Sequence, residues 1–274
     1  MKKRVFFILT ALMTLLFLAF AGFSQSTVVQ VSTNMGNMKF RLYDDTPKHR
    51  DAFIDLAKKG YYNETLFYRV IQDFLIQGGS KSSKNAAPGK RIGYGDPDKT
   101  VDDEILPHHF HKKGALCAPR QPEEVNPWQQ SDISQFYIVK GRVHTSGELD
   151  TMEMAVNRPI RKKIVAKYLT DDVRNELQML REEKMVNEFR EIAGRVKQQI
   201  ETEYNLQTET LEFSDAQRKA YTTIGGYPDL DGKYTVFGEC ISGFETIDKI
   251  AALKTDENHR PFTDVKIKVS ILNE

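Results

Sequence analysis

A chain of 274 residues with 40% hydrophobic and 28% charged positions has the composition of a folded protein and enough length for one or two domains, which excludes disorder as the default. Formal charge is +1; of the 39 basic residues Lys2, Lys3 and Arg4 open the chain, and without them 36 basic residues face 38 acidic ones. So neutral a chain lacks the broad positive field that draws in nucleic acid, and no nucleic-acid partner is expected.

The first 25 residues read as an export signal: a basic start, an apolar run from Val5 to Phe20 interrupted by Thr10 and Thr14, then Ala19-Phe20-Ala21 as a small-x-small cleavage site. Cleavage is expected after Ala21. The competing reading is an uncleaved inner-membrane anchor, since Val5 to Phe23 nearly spans hydrocarbon. No cysteine lies near the cleavage site, which argues against a lipid anchor. The expectation is an exported protein, in a bacterium periplasmic, with no stable membrane insertion once the signal is removed. Cys117 and Cys240 would then meet an oxidising compartment, and their apolar surroundings suit either a disulfide or two buried thiols.

Val28 to Ser32 and Lys39 to Tyr43 alternate about Asn34-Met35-Gly36-Asn37, predicting a hairpin. Thr46-Pro47 opens a predicted helix, with Thr46 as its cap, Phe53, Leu56 and Ala57 on one face, and Gly60 as its stop. Strand-like segments follow at 66–71, 74–77, 114–118 and 135–139, separated in part by a polar loop from Ser80 to Asp98. From Gly141 to about Ala220 the pattern turns helical. Val173, Leu177, Leu180, Met185, Phe189, Ile192, Val196 and Ile200 predict one amphipathic helix of roughly thirty residues capped by Thr170. A shorter helix is predicted after Pro159 and another at Ser214, whose Gln217 completes a capping box. Strand signals return at Tyr221–Ile224 and Tyr234–Cys240, then a helix at 244–253 and a strand at 265–272.

The densest stretch is Phe67-Tyr68-Arg69-Val70-Ile71-Gln72-Asp73-Phe74-Leu75-Ile76-Gln77-Gly78-Gly79. Taken alone, Arg69 is a solvent-facing strand residue or the partner of a carboxylate, and strict alternation puts Arg69 and Phe74 on opposite faces. They share a face only if the chain bends near Gln72-Asp73. This stretch resembles the signature of the cyclophilins. Three later segments continue the resemblance in order: Gly114 to Arg120, Ser134 to Ile138, and Leu230 to Gly238. It covers nearly all of 27–140 and 221–272 and leaves the helical stretch outside the family's minimal domain.

The resemblance implies a mainly β fold: a closed antiparallel barrel of about eight strands, flanked by the helices near 46–59 and 244–253. The barrel domain would comprise 27–140 and 221–274, discontinuous around an inserted α-helical segment, 141–220. It also implies peptidyl-prolyl cis/trans isomerisation of proline-containing, unfolded or flexible polypeptides, with no metal, nucleotide or redox cofactor required. In that reading Arg69, Phe74 and Gln77 are catalytic. Leu75, Ala118, Pro119, Arg120, Gln135, Tyr137, Leu230 and Tyr234 bind substrate. The proline ring would sit on Phe74, Leu75, Tyr137 and Leu230, and Pro119, where the family usually has alanine, would reshape the subsite before proline. Tyr68 and Tyr234 stand where many members carry histidine; Tyr137 replaces the common phenylalanine and brings a hydroxyl that needs a partner if buried.

His108, His109 and His111 suggest metal only weakly, because no carboxylate or cysteine lies at an obvious ligand spacing. Arg158, Arg161, Lys162, Lys163 and Lys167 read as a solvated helix face. Rival functional readings are a weakly active or inactive proline-peptide-binding chaperone or scaffold that uses the helical insertion, and a subunit docked to an envelope partner through the insertion's apolar face.

Overall fold

In the computed structural model, residues 26–95 and 97–273 are described; the predicted leader lies outside them. Eight segments whose apolar residues alternate or run continuously become β1 (Val28–Thr33), β2 (Gly36–Leu42), β3 (Thr65–Ile71), β4 (Leu75–Gly78), β6 (Ala115–Cys117), β8 (Phe136–Val139), β9 (Val236–Ser242) and β10 (Lys266–Asn273). They close in the order β1-β10-β3-β4-β8-β6-β9-β2, every neighbour antiparallel, so no strand of the ring is left as an open edge. A separate pair, β5 (Thr100–Val101) with β7 (Ser131–Asp132), lies outside the ring.

The barrel fills with alternate side chains such as Met38, Phe40 and Leu42, all fully buried. Helix α1 (Pro47–Lys58) adds Phe53, whose ring lies 4.9 Å from Tyr62, 5.6 Å from Phe136 and 5.4 Å from Phe237. Its predicted cap is not made. Thr46 holds the N-cap position, but its hydroxyl donates to the Tyr43 carbonyl. The free N–H groups of Lys48 and His49 go to the Glu104 carboxylate, at 3.0 Å each, and His49 Nδ1 lies 2.7 Å from the same group. A carboxylate at a helix N-terminus satisfies both the orphan donors and the dipole, which leaves the threonine nothing to cap. Cys117 and Cys240 are free, buried thiols, and burial pushes both thiol pKa values up, that of Cys240 to about 11.

Contacts divide the described residues into two compact units, those up to 140 with those from 229 onward, and 141–228. The second contains α2 (Ser146–Tyr168), α3 (Asp171–Glu182), α4 (Val186–Asn205) and α5 (Asp215–Thr223); α6 (Phe244–Ala251) belongs to the barrel unit. Three expectations change here. The helix predicted after Pro159 begins at Ser146, under a Thr145–Glu148 capping box. Pro159 lies inside it on an exposed face, where water can satisfy the carbonyl that loses its partner. Thr170 caps as predicted, but the thirty-residue helix is two. The N–H of Met185 returns to the Leu180 carbonyl (2.9 Å) and that of Lys184 to Arg181 (3.3 Å), with Lys184 at φ 58°. That is the Schellman stop, built on a lysine instead of the glycine that would have announced it. Finally, Tyr221–Ile224 is not a strand. Ser214 and Gln217 form their capping box, and Tyr221 sits in α5, fully buried, its ring 5.9 Å from Phe213 and 6.2 Å from His144.

Candidate active site

Strands β3 and β4 pair with Phe67 opposite Gly78 and Arg69 opposite Gln77, so Tyr68 is an extra residue, a bulge. After the bulge Arg69 and Gln77 face each other across the pair, and Arg69 Nη1 donates to Gln77 Oε1 at 3.3 Å. The chain then turns at Gln72-Asp73-Phe74, where the Phe74 N–H bonds the Ile71 carbonyl (3.1 Å). That turn is the bend which alternation alone could not supply. It brings the Phe74 ring to 5.5 Å from the Arg69 guanidinium carbon.

A cavity of about 210 Å³ opens beside this pair, lined by Arg69, Phe74, Leu75, Gln77, Pro119, Arg120, Tyr137, Leu230 and Tyr234. Nine of the eleven residues singled out from sequence thus share one concavity. Ala118 does not: it is fully buried in the barrel core, with its N–H on the Thr235 carbonyl. Gln135 instead lines an adjoining depression of about 290 Å³ with Tyr61, Tyr94 and Ser134. Arg120 lies with its guanidinium carbon 5.3 Å from the Tyr234 ring, and Tyr234 stands edge-on to Tyr137 at 6.1 Å.

Two buried polar arrangements support this cavity, and neither was apparent from sequence. In the first, hydrogen bonds run in one direction. Arg69 donates to Gln77 Oε1, Gln77 Nε2 to the Tyr68 hydroxyl (2.8 Å), Tyr68 to Gln135 Oε1, and Gln135 Nε2 to Asp132 Oδ2 (2.6 Å). Because Asp132 ends the run as an acceptor, the orientation of both amides is fixed. Burial raises the Asp132 pKa above the ordinary carboxylate value, although hydrogen bonds from Ser134 and Gln135 pull the other way. Tyr68 is held from outside by the loop at 86–93. A Cβ on Gly93, at φ 82°, would fall 2.4 Å from the Tyr68 hydroxyl oxygen, so only glycine lets the backbone pass there.

In the second arrangement the Tyr137 hydroxyl finds the partner its burial requires. It lies 3.0 Å from His111 Nε2, while His111 Nδ1 and backbone N–H both meet Asp231 Oδ1, at 2.9 and 2.8 Å. A carboxylate can only accept, so Nδ1–H donates to Asp231, which leaves Nε2 to accept from Tyr137. Burial first, then the neighbouring Cys117, pushes the phenol pKa well up, so Tyr137 stays a neutral hydroxyl and the pocket wall carries no anion there. Asp231 is 120 residues from His111 along the chain, and no local pattern signals the pair. Among the described residues no carboxylate forms an ion pair with Arg69, whose half-buried guanidinium keeps N–H groups for a ligand.

Comparison with known proteins identifies the family. The family model described as cyclophilin type peptidyl-prolyl cis-trans isomerase/CLD matches residues 28–158 and 194–271, leaving unmatched a stretch of the helical unit. A Staphylococcus saprophyticus protein bearing the name of a peptidyl-prolyl cis-trans isomerase is 30% identical over 236 residues, 86% of each chain. A Staphylococcus aureus protein of the same name is 30% identical over 241 residues, 88% of each. Among solved structures, a Cryptosporidium parvum cyclophilin type isomerase aligns over 91% of this chain and 99% of its own, at 21% identity and a TM-score of 0.49. The closed eight-stranded barrel, the two-block match over most of the chain and the relatives matched over 86% and 88% of their own length place this chain in the cyclophilin-type peptidyl-prolyl cis-trans isomerase family.

Proposed function

We propose that this isomerase acts on X-Pro bonds of exported polypeptides and that Arg69 is its catalytic donor. The observation that carries the reading is the Arg69 guanidinium, without an ion-pair partner among the described residues, at a cavity whose lining includes the apolar side chains of Phe74, Leu75 and Leu230 and the ring of Tyr137. Rotation about a peptide C–N bond faces a barrier of about 18–20 kcal/mol, because nitrogen shares its lone pair with the carbonyl. No bond has to break. In the twisted state the prolyl nitrogen becomes pyramidal and regains a localised lone pair, which a guanidinium N–H can meet. That hydrogen bond exists only in the transition state, the condition for acceleration. The guanidinium remains charged at ordinary pH, so no proton has to be moved.

The apolar wall would hold the proline ring while the preceding carbonyl swings. Gln77, fixed by Tyr68, would bind the substrate backbone and steady Arg69 at once. Pro119 and Arg120 would contact the residue before proline. Gln135 acts in this scheme through Tyr68, since it lines the adjoining depression. The export assignment rests on the basic, apolar and small-x-small order of residues 2–21.

The test compares isomerisation of a short X-Pro peptide by the mature chain and its Arg69→Ala and Arg69→Lys variants. Arg69→Ala is expected to lose about a hundredfold or more in kcat/KM with melting unchanged. Equal rates in parent and variant would remove Arg69 from the mechanism. For export, the chain recovered from the cell envelope is expected to begin near Gly22; a full-length chain confined to the cytosol would overturn that assignment.

A further inference from the structure

The segment joining β5 to β6 places two histidines against a residue more than sixty positions away. His108 Nε2 lies 2.7 Å from one oxygen of Asp45, and His109 Nε2 lies 2.7 Å from the other. The two imidazole rings are 4.3 Å apart and tilted by 57°, so their nitrogens converge on one carboxylate from different directions. His109 is held in place by Tyr43, whose ring stacks on it at 3.8 Å and 7°. The other side is open: the side chains of His108 and Asp45 are 62% and 47% exposed, that of His109 only 12%. His111, which the sequence groups with these two, takes no part; it is committed to Tyr137 and Asp231 inside the wall.

We propose that Asp45, His108 and His109 form a binding site for a divalent transition-metal ion of the zinc class. Two imidazole nitrogens and one carboxylate oxygen are a donor set suited to zinc, with the open side left for water as fourth ligand. All three candidate ligand atoms lie within 4.8 Å of one another. Tetrahedral zinc with bonds of about 2.0–2.1 Å needs its ligands roughly 3.3 Å apart. Each Nε2 must therefore retreat from the carboxylate by about half an ångström, a change the exposed His108 ring can make by a small side-chain rotation. To bind metal through Nε2 each neutral imidazole carries its single proton on Nδ1, so both rings change tautomer and no proton has to leave. The ion would tie the turn before α1 to the segment before β6, two stretches otherwise joined here through these side chains. It lies outside the isomerase cavity, and no step of bond rotation depends on it.

The experiment uses the tag-free mature chain, stripped with a chelator and titrated with Zn²⁺ by calorimetry at pH 7.5, with Co²⁺ as a spectroscopic substitute. One Zn²⁺ per chain is expected, together with visible Co²⁺ bands of tetrahedral intensity and a melting temperature that rises with free zinc. His108→Asn and Asp45→Asn should each weaken binding at least about tenfold, since even an outer partner of a ligand is worth 10–100-fold. Both positions are exposed enough to be replaced without disturbing the core; a melting curve of each metal-free variant checks this. Absence of saturable binding below about 1 mM would leave the cluster an ion pair and overturn the proposal, as would binding that both variants retain in full.

Discussion

The barrel and the helical unit bury apolar side chains by different means. In the barrel, residues far apart in sequence meet across a closed ring: β1 pairs with β10, and a single aromatic from α1 packs against Tyr62, Phe136 and Phe237. In the helical unit, few side chains are buried, among them Leu149, Ile164, Leu180, Val196, Phe213 and Tyr221, and its elements begin and end on local devices, two capping boxes and a Schellman stop. It also keeps an open groove of about 680 Å³ lined by Met154, Val165 and Tyr204 among charged residues, with Met154 62% exposed. A ring that closes only when every strand is present concentrates its stability in shared contacts. A set of capped helices spreads it over many small ones.

The strongest way to break this comparison is to delete one large side chain in each unit. Phe53→Ala empties the centre of four packed rings and is expected to cost about 3–5 kcal/mol of unfolding free energy. Met154→Ala removes an exposed side chain and is expected to change stability by less than about 0.5 kcal/mol. Urea unfolding of both variants checks the pair; comparable losses would mean that the Met154 groove is covered in solution.

A second test concerns the hydrogen-bond run that only the barrel possesses. Tyr68→Phe keeps the ring and removes the hydroxyl that accepts from Gln77 and donates to Gln135. Both glutamines then lose a partner, and Gln77 is free to rotate away from Arg69. The expected result is a fall of about five- to tenfold in kcat/KM, the size of one to two ordinary hydrogen bonds, carried mainly by kcat, with melting little changed. A change confined to KM would make Tyr68 a binding group and dissolve its link to Arg69.

What could be read in advance follows the same division. Strand alternation located the eight strands of the ring, because period-two patterns and turn residues are local, whereas the closure of the ring and most of the cavity residues came from the resemblance of four segments to the cyclophilins. The bulge at Tyr68 was not readable, and with it the reason Arg69 faces Gln77, since a bulge leaves the composition of the strand unchanged. Ala118 differs from Pro119 by one position yet points into the core, a distinction set by the pleat. The partners of the polar groups were hidden for another reason. Glu104 caps α1, Asp231 holds His111 and Asp45 meets two histidines, in each case across tens of residues or more, and nothing in either local segment requires the other.

The Glu104 contact leads to a pH prediction. His49 is fully buried, and burial lowers its pKa below the ordinary histidine value even though the Glu104 carboxylate pulls it up. Its Nδ1 donates to Glu104, and Nε2 has no hydrogen-bond partner, so protonation would put an unsatisfied N–H and a charge in the core. Below about pH 6.5 the unfolded chain takes up this proton while the folded chain still refuses it. Stability is therefore fully present above that value and falls as the pH drops toward the lowered folded pKa, at no more than about 1.4 kcal/mol per pH unit. His49→Phe keeps an aromatic ring beside Phe237 and removes the titration. The difference between the two stability curves should be flat above about pH 6.5 and slope below it; parallel curves throughout would mean that His49 titrates normally.

A last test lies in the helical unit and asks whether its stability is as local as its caps suggest. Lys184 occupies the left-handed position of the stop between α3 and α4, at φ 58°, and its side chain is exposed. A residue with a Cβ pays about 1 kcal/mol or more for that conformation, and glycine pays nothing comparable in the folded state, although it gains freedom in the unfolded one. Lys184→Gly should therefore stabilise the unit by roughly 0.5–1 kcal/mol, seen as slower amide exchange in α3 and α4 with exchange in the barrel strands unchanged. If protection rose equally in β1 and β10, the two units would unfold as one cooperative body. Destabilisation would mean instead that the lysine side chain holds the turn, and that the stop is written in side-chain contacts as well as in backbone.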